Sequence, residues 1–363
     1  MIHTIDIMAP ITSYQLQEFL REQGVSSTLT RWSTRDYGNT GLTRIAVFLV
    51  EKNNYPRWYL HISMNPQHVL TSSPDPMALF DMADFAELIP AFDSCLANIT
   101  SIHLPSLPCW VARRIDYAED AVVGNGPSRP CAGEYITLAE RGLLPIRAED
   151  AAEPHWISYR ASNKSGNVVV YHRGPALRAK FRGLSDDVYA QADRLLRLEI
   201  QCHKGRLASL ARRYHFPDRQ LQHFLTRPDI GQMELQRQAL RIFGRFAFQT
   251  YKRSAGQIDR AKKMYGSTRE NLKHFLKAVN AAPGISEAQS LWTKGARVKI
   301  RFGRSRHAVL FTSLEVRRLR RRLRDLQINL VSVPPEWHRS IVEQPFQNLF
   351  GGAHAEADTE RSY

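Results

Sequence analysis

Arg114-Ile115-Asp116, Val168-Val169-Val170-Tyr171 and Arg197-Leu198-Glu199-Ile200 are the runs on which the reading of the fold turns. In each, β-branched or apolar residues alternate with polar ones over a short span, the pattern of a strand. Laid side by side as antiparallel neighbours, such strands bring an aspartate, a tyrosine and a glutamate to one face of a sheet. Two hard oxygen donors beside a phenol are what metal-assisted attack on a phosphodiester requires. Singly, an Arg-x-Asp or Arg-x-Glu on a strand is more often a surface ion pair, and strand tyrosine is common. The order of the runs therefore carries the argument.

Working outward, residues 2–8 read as a first strand carrying Asp6, followed by Pro10. Thr12 or Ser13 caps a predicted helix through Leu16, Phe19 and Leu20 that stops at Gly24. Strands are expected at 31–35, 43–50 and 57–64, the last two joined by a turn at Asn53-Asn54 with Pro56. A helix is expected over 76–98, from Leu79, Met82, Phe85, Leu88 and Ile89 at helical spacing. The clearest hairpin has Trp156-Ile157-Ser158-Tyr159 as one arm and Val168–Tyr171 as the other, around a polar turn at 162–167. A short helix near 138–142 precedes it, and one over 185–195 leads into the Glu199 strand. Beyond His203 the pattern changes to amphipathic helices over 205–214, 232–253 and 268–279, the last with a Ser267-x-x-Glu270 capping box.

The expected class is α+β: an antiparallel-sheet domain over 1–205, then a mainly helical basic region over 206–345. The small polar tail over 346–363 has the composition of a disordered segment. The chain has 363 residues and a formal net charge of +15 from fifty Lys and Arg against thirty-five Asp and Glu. That excess, spread through a foldable sequence, calls for a polyanionic partner, with nucleic acid ahead of a membrane surface. No run of about 18 apolar residues suits a membrane span. The start, Met1-Ile2-His3-Thr4, lacks the character of a signal peptide. Cys95, Cys109, Cys131 and Cys202 form no Cys-x-x-Cys pair. A zinc site is thus not expected, and reduced thiols in a cytoplasm are.

Read in order, the strand with Asp6, the hairpin ending at Asn65-Pro66, Arg114-Ile115-Asp116, the Tyr159/Tyr171 hairpin and Arg197-Leu198-Glu199-Ile200 resemble the gene II-type replication initiators of filamentous phages (inoviruses). They are more distantly similar to the rolling-circle initiators of staphylococcal plasmids. Leu60-His61-Ile62, Asn65-Pro66-Gln67-His68 and Leu107-Pro108-Cys109-Trp110 also look like the phage family, so the resemblance covers about residues 1–205. It implies an antiparallel-sheet nicking domain in which Tyr171 is the nucleophile, with Tyr159 on the other arm the competing candidate. It further implies that Asp116 and Glu199 hold Mg²⁺ or Mn²⁺. His61 stands where the phage family has a glutamate and is a candidate third ligand. Two residues after the tyrosine the family has a lysine; Arg173 keeps the charge here, but no glutamate follows it.

The implied function is initiation of rolling-circle DNA replication by a site-specific nicking endonuclease and strand transferase. A phenol with a pKa near 10 is a poor nucleophile until a cation or base favours the phenolate. Arg173 or Arg114 would stabilise charge at the phosphorus, and Arg114 and Arg197 are candidate DNA contacts. The implied partners are origin DNA of a phage or plasmid, with a host helicase and DNA polymerase as further candidates. The implied setting is a bacterial host cytoplasm, with no membrane and no small-molecule cofactor. Over 314–330, Val316, Leu319, Leu323, Leu326 and Leu330 form one apolar stripe, and six arginines fall within the eight residues 317–324. A charge run is usually a solvated face. This one has no acid within it, and Arg317, Arg318, Arg321 and Arg324 are expected to track phosphates. The competing readings are a non-catalytic basic DNA-binding regulator and a helical RNA-binding or scaffold protein.

Overall fold

A computed structural model of the chain describes residues 1–26, 29, 31–52, 55–72, 75–124, 130–142, 157–262, 264–282, 285, 288, 296–299, 305–308 and 311–350. Its strands are β1 (Ile2–Ile11), β2 (Arg31–Thr34), β3 (Leu42–Lys52), β4 (Tyr55–Met64), β5 (Val111–Val122), β6 (Ser158–Asn163), β7 (Gly166–His172) and β8 (Leu195–His203). They form one eight-stranded sheet in the order β2-β3-β4-β1-β5-β8-β7-β6. Helices α1 (Ser13–Glu22), α2 (Pro66–Thr71), α3 (Phe85–Ala97), α4 (Ala132–Glu140), α5 (Arg173–Lys180), α6 (Asp186–Ala192), α7 (Lys204–Arg213) and α8 (Leu221–Leu225) fall between and after the strands. The architecture is α+β.

Alternation builds the sheet. In β1, Ile5, Ile7 and Ala9 are buried while Asp6 and Met8 between them are half-buried. β1 runs antiparallel to β4, with Ile7 opposite Ile62, and to β5, with Ile5 opposite Ile115. β3 and β4 are a hairpin with Val47 opposite Leu60 and Lys52 opposite Tyr55. The Asn53-Asn54 turn inferred there lies outside the described residues. β1 continues through Pro10 to Ile11, beyond the expected end at residue 8. The β5 ladder along β1 runs only from Ile2 to Met8, so the N–H that Pro10 lacks is not required on that side.

The chain divides into two compact units. The first holds Met1–Glu119, Ser162–Val168 and Leu198–Leu235; the second holds Asp120–Ala161, Val169–Arg197 and Gln236–Tyr363. A cut near residue 205 does not match this division, because β5, β6, β7 and β8 each belong in part to both units. In the first unit Trp110 is fully buried, its ring edge-on to Phe92 at 5.6 Å and its Nε1–H donating to the Pro105 carbonyl at 2.8 Å. Burying a side chain of that kind stabilises a fold by about 2–3 kcal/mol. In the second, Phe243 packs against Phe248 and Phe346.

Several local expectations are corrected. The helix placed over 76–98 begins as a turn of 3₁₀ helix at Met82, and α3 starts at Phe85. The single helix over 232–253 is two, α9 (Pro228–Phe243) and α10 (Tyr251–Arg260). Gly244 at φ +73 separates them, with Phe248–Gln249 in a small strand, β9, paired to Ile341–Val342. The third, α11 (Gly266–Ala281), is capped at Tyr265, so Ser267-x-x-Glu270 is no capping box. The Arg-rich helix is Ser313–Asp325, ending where Gln327 turns left-handed at φ +57, so Leu330 is not on its stripe. A capping box starts it. The Thr312 N–H donates to Glu315 Oε2 at 2.7 Å, and the Glu315 N–H donates to Thr312 Oγ1 at 3.2 Å. Trp156 and residues 351–363 lie outside the described residues, whereas the tail expected to be disordered from 346 begins as ordered chain, with Phe346 and Leu349 buried and a turn of 3₁₀ helix at Gln347–Phe350. Among the described residues no helix is long and apolar enough to cross a membrane.

Candidate metal centre

β5 and β8 are neighbours, and β1 lies on the other side of β5. Asp116 of β5 and Glu199 of β8 come together on this arrangement, with His3 of β1 as a third donor. One ligand atom from each of the three residues lies within 4.8 Å of the others. Asp116 is wholly buried and Glu199 nearly so, while His3 is half-buried.

A bulge brings His3 in. Along the β1–β5 ladder Ile2 pairs with Tyr117 and Thr4 with Asp116, so β1 spends two steps where β5 spends one. His3 is the extra residue. Such an insertion re-aims the side chain it carries. His3 Nδ1 sits 3.6 Å from Glu199 Oε2 and 3.1 Å from Thr4 Oγ1.

Each acid is held by the residue two positions away on its own strand, which alternation puts on the same face. Arg114 forks onto Asp116, donating from Nε to Oδ1 at 2.7 Å and from a terminal nitrogen to Oδ2 at 2.5 Å. Gln201 Nε2 donates to Glu199 Oε1 at 2.8 Å, and Asn167 Nδ2 donates to Gln201 Oε1 at 2.8 Å. β7 reaches β8 closely here because residue 166 is glycine; a Cβ there would collide with the Gln201 carbonyl oxygen.

Burial pushes the Asp116 carboxyl up to about 8, the Arg114 hydrogen bond and charge oppose the rise, and the charges of Glu199 and Asp6 add to it. Burial is the largest cause of that rise, and a cation bound between the acids would favour the ionised form. Two carboxyl groups and an imidazole within reach of one another make a donor set that could hold a divalent cation such as Mn²⁺, with Mg²⁺ better served by the oxygens alone.

His61 is not in this group. It lies opposite Met8 of β1, four residues from Thr4, the partner of Asp116. At about 3.3 Å per residue that offset is roughly 13 Å, too far to share an ion. Burial lowers the His61 pKa, Asp6 raises it, and Arg113 and Arg44 lower it further. His61 was indicated by position on the early hairpin; His3 carried no sequence signal, because its placement depends on the bulge.

Two arginines expected at DNA are otherwise engaged. Arg114 is the Asp116 partner just described. Arg197 is completely buried in the second unit, donating from Nε and a terminal nitrogen to the two Asp120 oxygens at 2.6 Å each. A guanidinium sealed in that way is a structural group, and the DNA-contact expectation for Arg197 is withdrawn.

Tyr171 is half-buried near the end of β7, in the second unit. Arg173 follows as the first residue of α5, is 5% exposed, and hydrogen-bonds through its guanidinium to Tyr171. Burial lowers the Arg173 pKa and the neighbouring Arg197 lowers it further, while Tyr171 and Asp120 act in the opposite sense. Tyr159, on β6 of the same hairpin, is 1% exposed. Arg317, Arg318, Arg321 and Arg324 are all exposed on the Ser313–Asp325 helix, whose Val316, Leu319 and Leu323 are buried.

Comparison with protein-family models, with curated proteins and with solved structures finds no match for this chain.

Proposed function

We propose that the protein is a metal-dependent DNA nicking and rejoining enzyme, of the kind that initiates rolling-circle replication. The observation that carries this reading is the convergence of His3, Asp116 and Glu199 donors within 4.8 Å, two of them buried acids. His3, Asp116 and Glu199 would hold the cation, Mn²⁺ or Mg²⁺. When bound, it would polarise the scissile phosphate. Arg114 and Gln201 fix the orientations of the two acids. Tyr171 is the nucleophile: its phenolic oxygen forms a bond to phosphorus as the bond to the 3′-oxygen breaks. The proton that the phenol gives up balances the one the departing 3′-oxygen gains. The products are a 5′-phosphotyrosine and a 3′-hydroxyl that primes a polymerase, and reversal rejoins the strand. Arg173, hydrogen-bonded to Tyr171, holds the phenol and places positive charge beside its oxygen.

The test is direct. The protein, mixed with a library of single-stranded oligonucleotides and Mn²⁺, is expected to give a protein–DNA adduct that survives denaturation and is abolished by EDTA. Absence of an adduct with every oligonucleotide, in Mn²⁺ and in Mg²⁺, would sink the proposal and leave a non-catalytic DNA-binding protein.

Calorimetric titration of Mn²⁺ without DNA examines the donor set. Asp116→Asn, Glu199→Gln and His3→Ala are each expected to weaken binding by at least about tenfold, as loss of a ligand does. His61→Ala should leave it unchanged. Equal effects of His3→Ala and His61→Ala would remove His3 from the set.

The Arg-rich helix would bind phosphates without regard to sequence. Replacing Arg317, Arg318, Arg321 and Arg324 together by glutamine should weaken duplex binding on every sequence. The slope of log K against log salt should flatten by about 0.9 per lost contact. Melting temperature should hold, since Val316, Leu319 and Leu323 are untouched. Unchanged affinity and slope would make these arginines a solvated face.

A further inference from the structure

Thr250, Lys252, Arg253, Gly256, Arg260 and Ser340 line an open depression in the second unit. Local sequence explains its shape. Thr250 caps α10, its hydroxyl accepting from the Arg253 N–H at 3.4 Å. The Thr250 N–H donates to the Ser340 carbonyl at 3.1 Å, extending the short ladder in which Gln249 opposes Ile341. Lys252, Gly256 and Arg260 recur every four residues and form one stripe of the helix, with Arg253 beside it. The stripe runs about 12 Å at 1.5 Å per residue. Ser254 and Ile258 lie on the buried side and seat the helix.

The three cations are exposed, and among the described residues none of them makes an ion pair. The nearby acid, Asp259, is engaged by Lys273 at 3.0 Å. Gly256 leaves the floor bare: a Cβ there would meet nothing within 4 Å. We propose that this depression binds the phosphates of a nucleic-acid strand. Cationic side chains at both ends, two hydroxyl-bearing residues at the rim and uncovered helix backbone between them admit an anionic oxygen closely. A membrane surface would need several exposed apolar groups beside the charges, whereas Ile258 of α10 is buried and Ile341, next to Ser340, is a single exposed one. A second observation extends the surface. Gln257 Nε2 donates to the Leu326 carbonyl at 2.5 Å, tying α10 to the end of the Ser313–Asp325 helix, where Arg322 and Arg324 are exposed. The inference shares with the proposed function only the choice of a nucleic-acid polyanion and needs none of its chemistry.

The experiment is binding of a fluorescent oligothymidylate to the full chain in EDTA, followed by anisotropy across a salt series. The combined variant Lys252→Gln, Arg253→Gln, Arg260→Gln should weaken binding at least about tenfold and flatten the salt slope by up to about 2, at roughly 0.7 per single-strand phosphate contact. Gly256→Glu should weaken it several-fold by placing an acid in the floor, and Gly256→Ala should weaken it by less, because its methyl covers backbone that a phosphate oxygen would approach without adding charge. If the triple variant loses helix or melts early, the Gly256→Glu and Gly256→Ala pair decides. Unchanged affinity in both the triple variant and Gly256→Glu overturns the proposal. So does loss of binding to phosphatidylserine vesicles with oligonucleotide affinity intact, which would give the surface to a membrane. A protein that never forms an adduct yet loses binding in these variants upholds this site and refutes nicking. One that nicks with binding unchanged does the reverse.

Discussion

Tyr171→Phe is expected to fold and bind DNA as the parent does and to form no covalent adduct, a fall of at least about three orders of magnitude in nicking. The substitution removes one oxygen from a half-buried side chain at the end of β7 and leaves the ring in place. The Tyr171 oxygen is also the Arg173 partner, so a second effect is foreseen. Arg173→Gln should retain some adduct formation at a reduced rate, because the nucleophile survives while the charge beside it is lost. Tyr159→Phe is the control. Its ring is 1% exposed on β6, and loss of a buried hydroxyl should cost about 1 kcal/mol of stability with nicking preserved. Denaturing gels of each variant with oligonucleotide and Mn²⁺ make the comparison. If Tyr159→Phe abolishes the adduct and Tyr171→Phe does not, the nucleophile has been misassigned.

Arg197→Met should destabilise the protein by about 3 kcal/mol, the lower end of the range for removing one partner of a buried ion pair. The lower end applies because the Asp120 side chain keeps 19% exposure, which lets water meet part of its abandoned charge. Arg197 is wholly buried and closes two hydrogen bonds to that carboxylate, so methionine keeps the volume and forfeits both. The double variant Arg197→Met, Asp120→Leu should regain most of the loss, since no buried charge is then left alone. Urea denaturation of the two variants and the parent gives the comparison. An Arg197→Met protein as stable as the parent, with weakened DNA binding, would restore Arg197 to a DNA-facing role.

Much of the architecture could be read before any coordinates. The alternation of Ile5, Ile7 and Ala9, the β3–β4 hairpin, the Thr12 cap of α1 and the strands holding Asp116, Tyr171 and Glu199 all follow from periodicity and turn chemistry. Errors fell where a local signal competed with a longer one. Ser267 and Glu270 have the spacing of a capping box, yet α11 begins one residue before Ser267 and the box does not form. Residues 232–253 read as one amphipathic run, but Gly244 turns left-handed and Phe248 is drawn into a two-residue ladder with Val342, nearly a hundred positions later.

The candidate site divides the same way. Asp116 and Glu199 are legible because a strand's two-residue period fixes which side chains share a face; that period also offers Arg114 beside Asp116, whereas on β8 it leaves Arg197 and Gln201 equivalent, and only the structure gives Glu199 to Gln201. The partner of Arg197 is not legible: Asp120 lies 77 positions away and is reached only once their strands are brought together. His3 depends on tertiary structure still more strictly. In a regular strand it would face away from Thr4; one unmatched residue against β5 moves it to Glu199. Period and composition determine strands, caps and the chemistry available to a face, whereas register and bulges arise from pairing between distant segments, and here they choose the third donor.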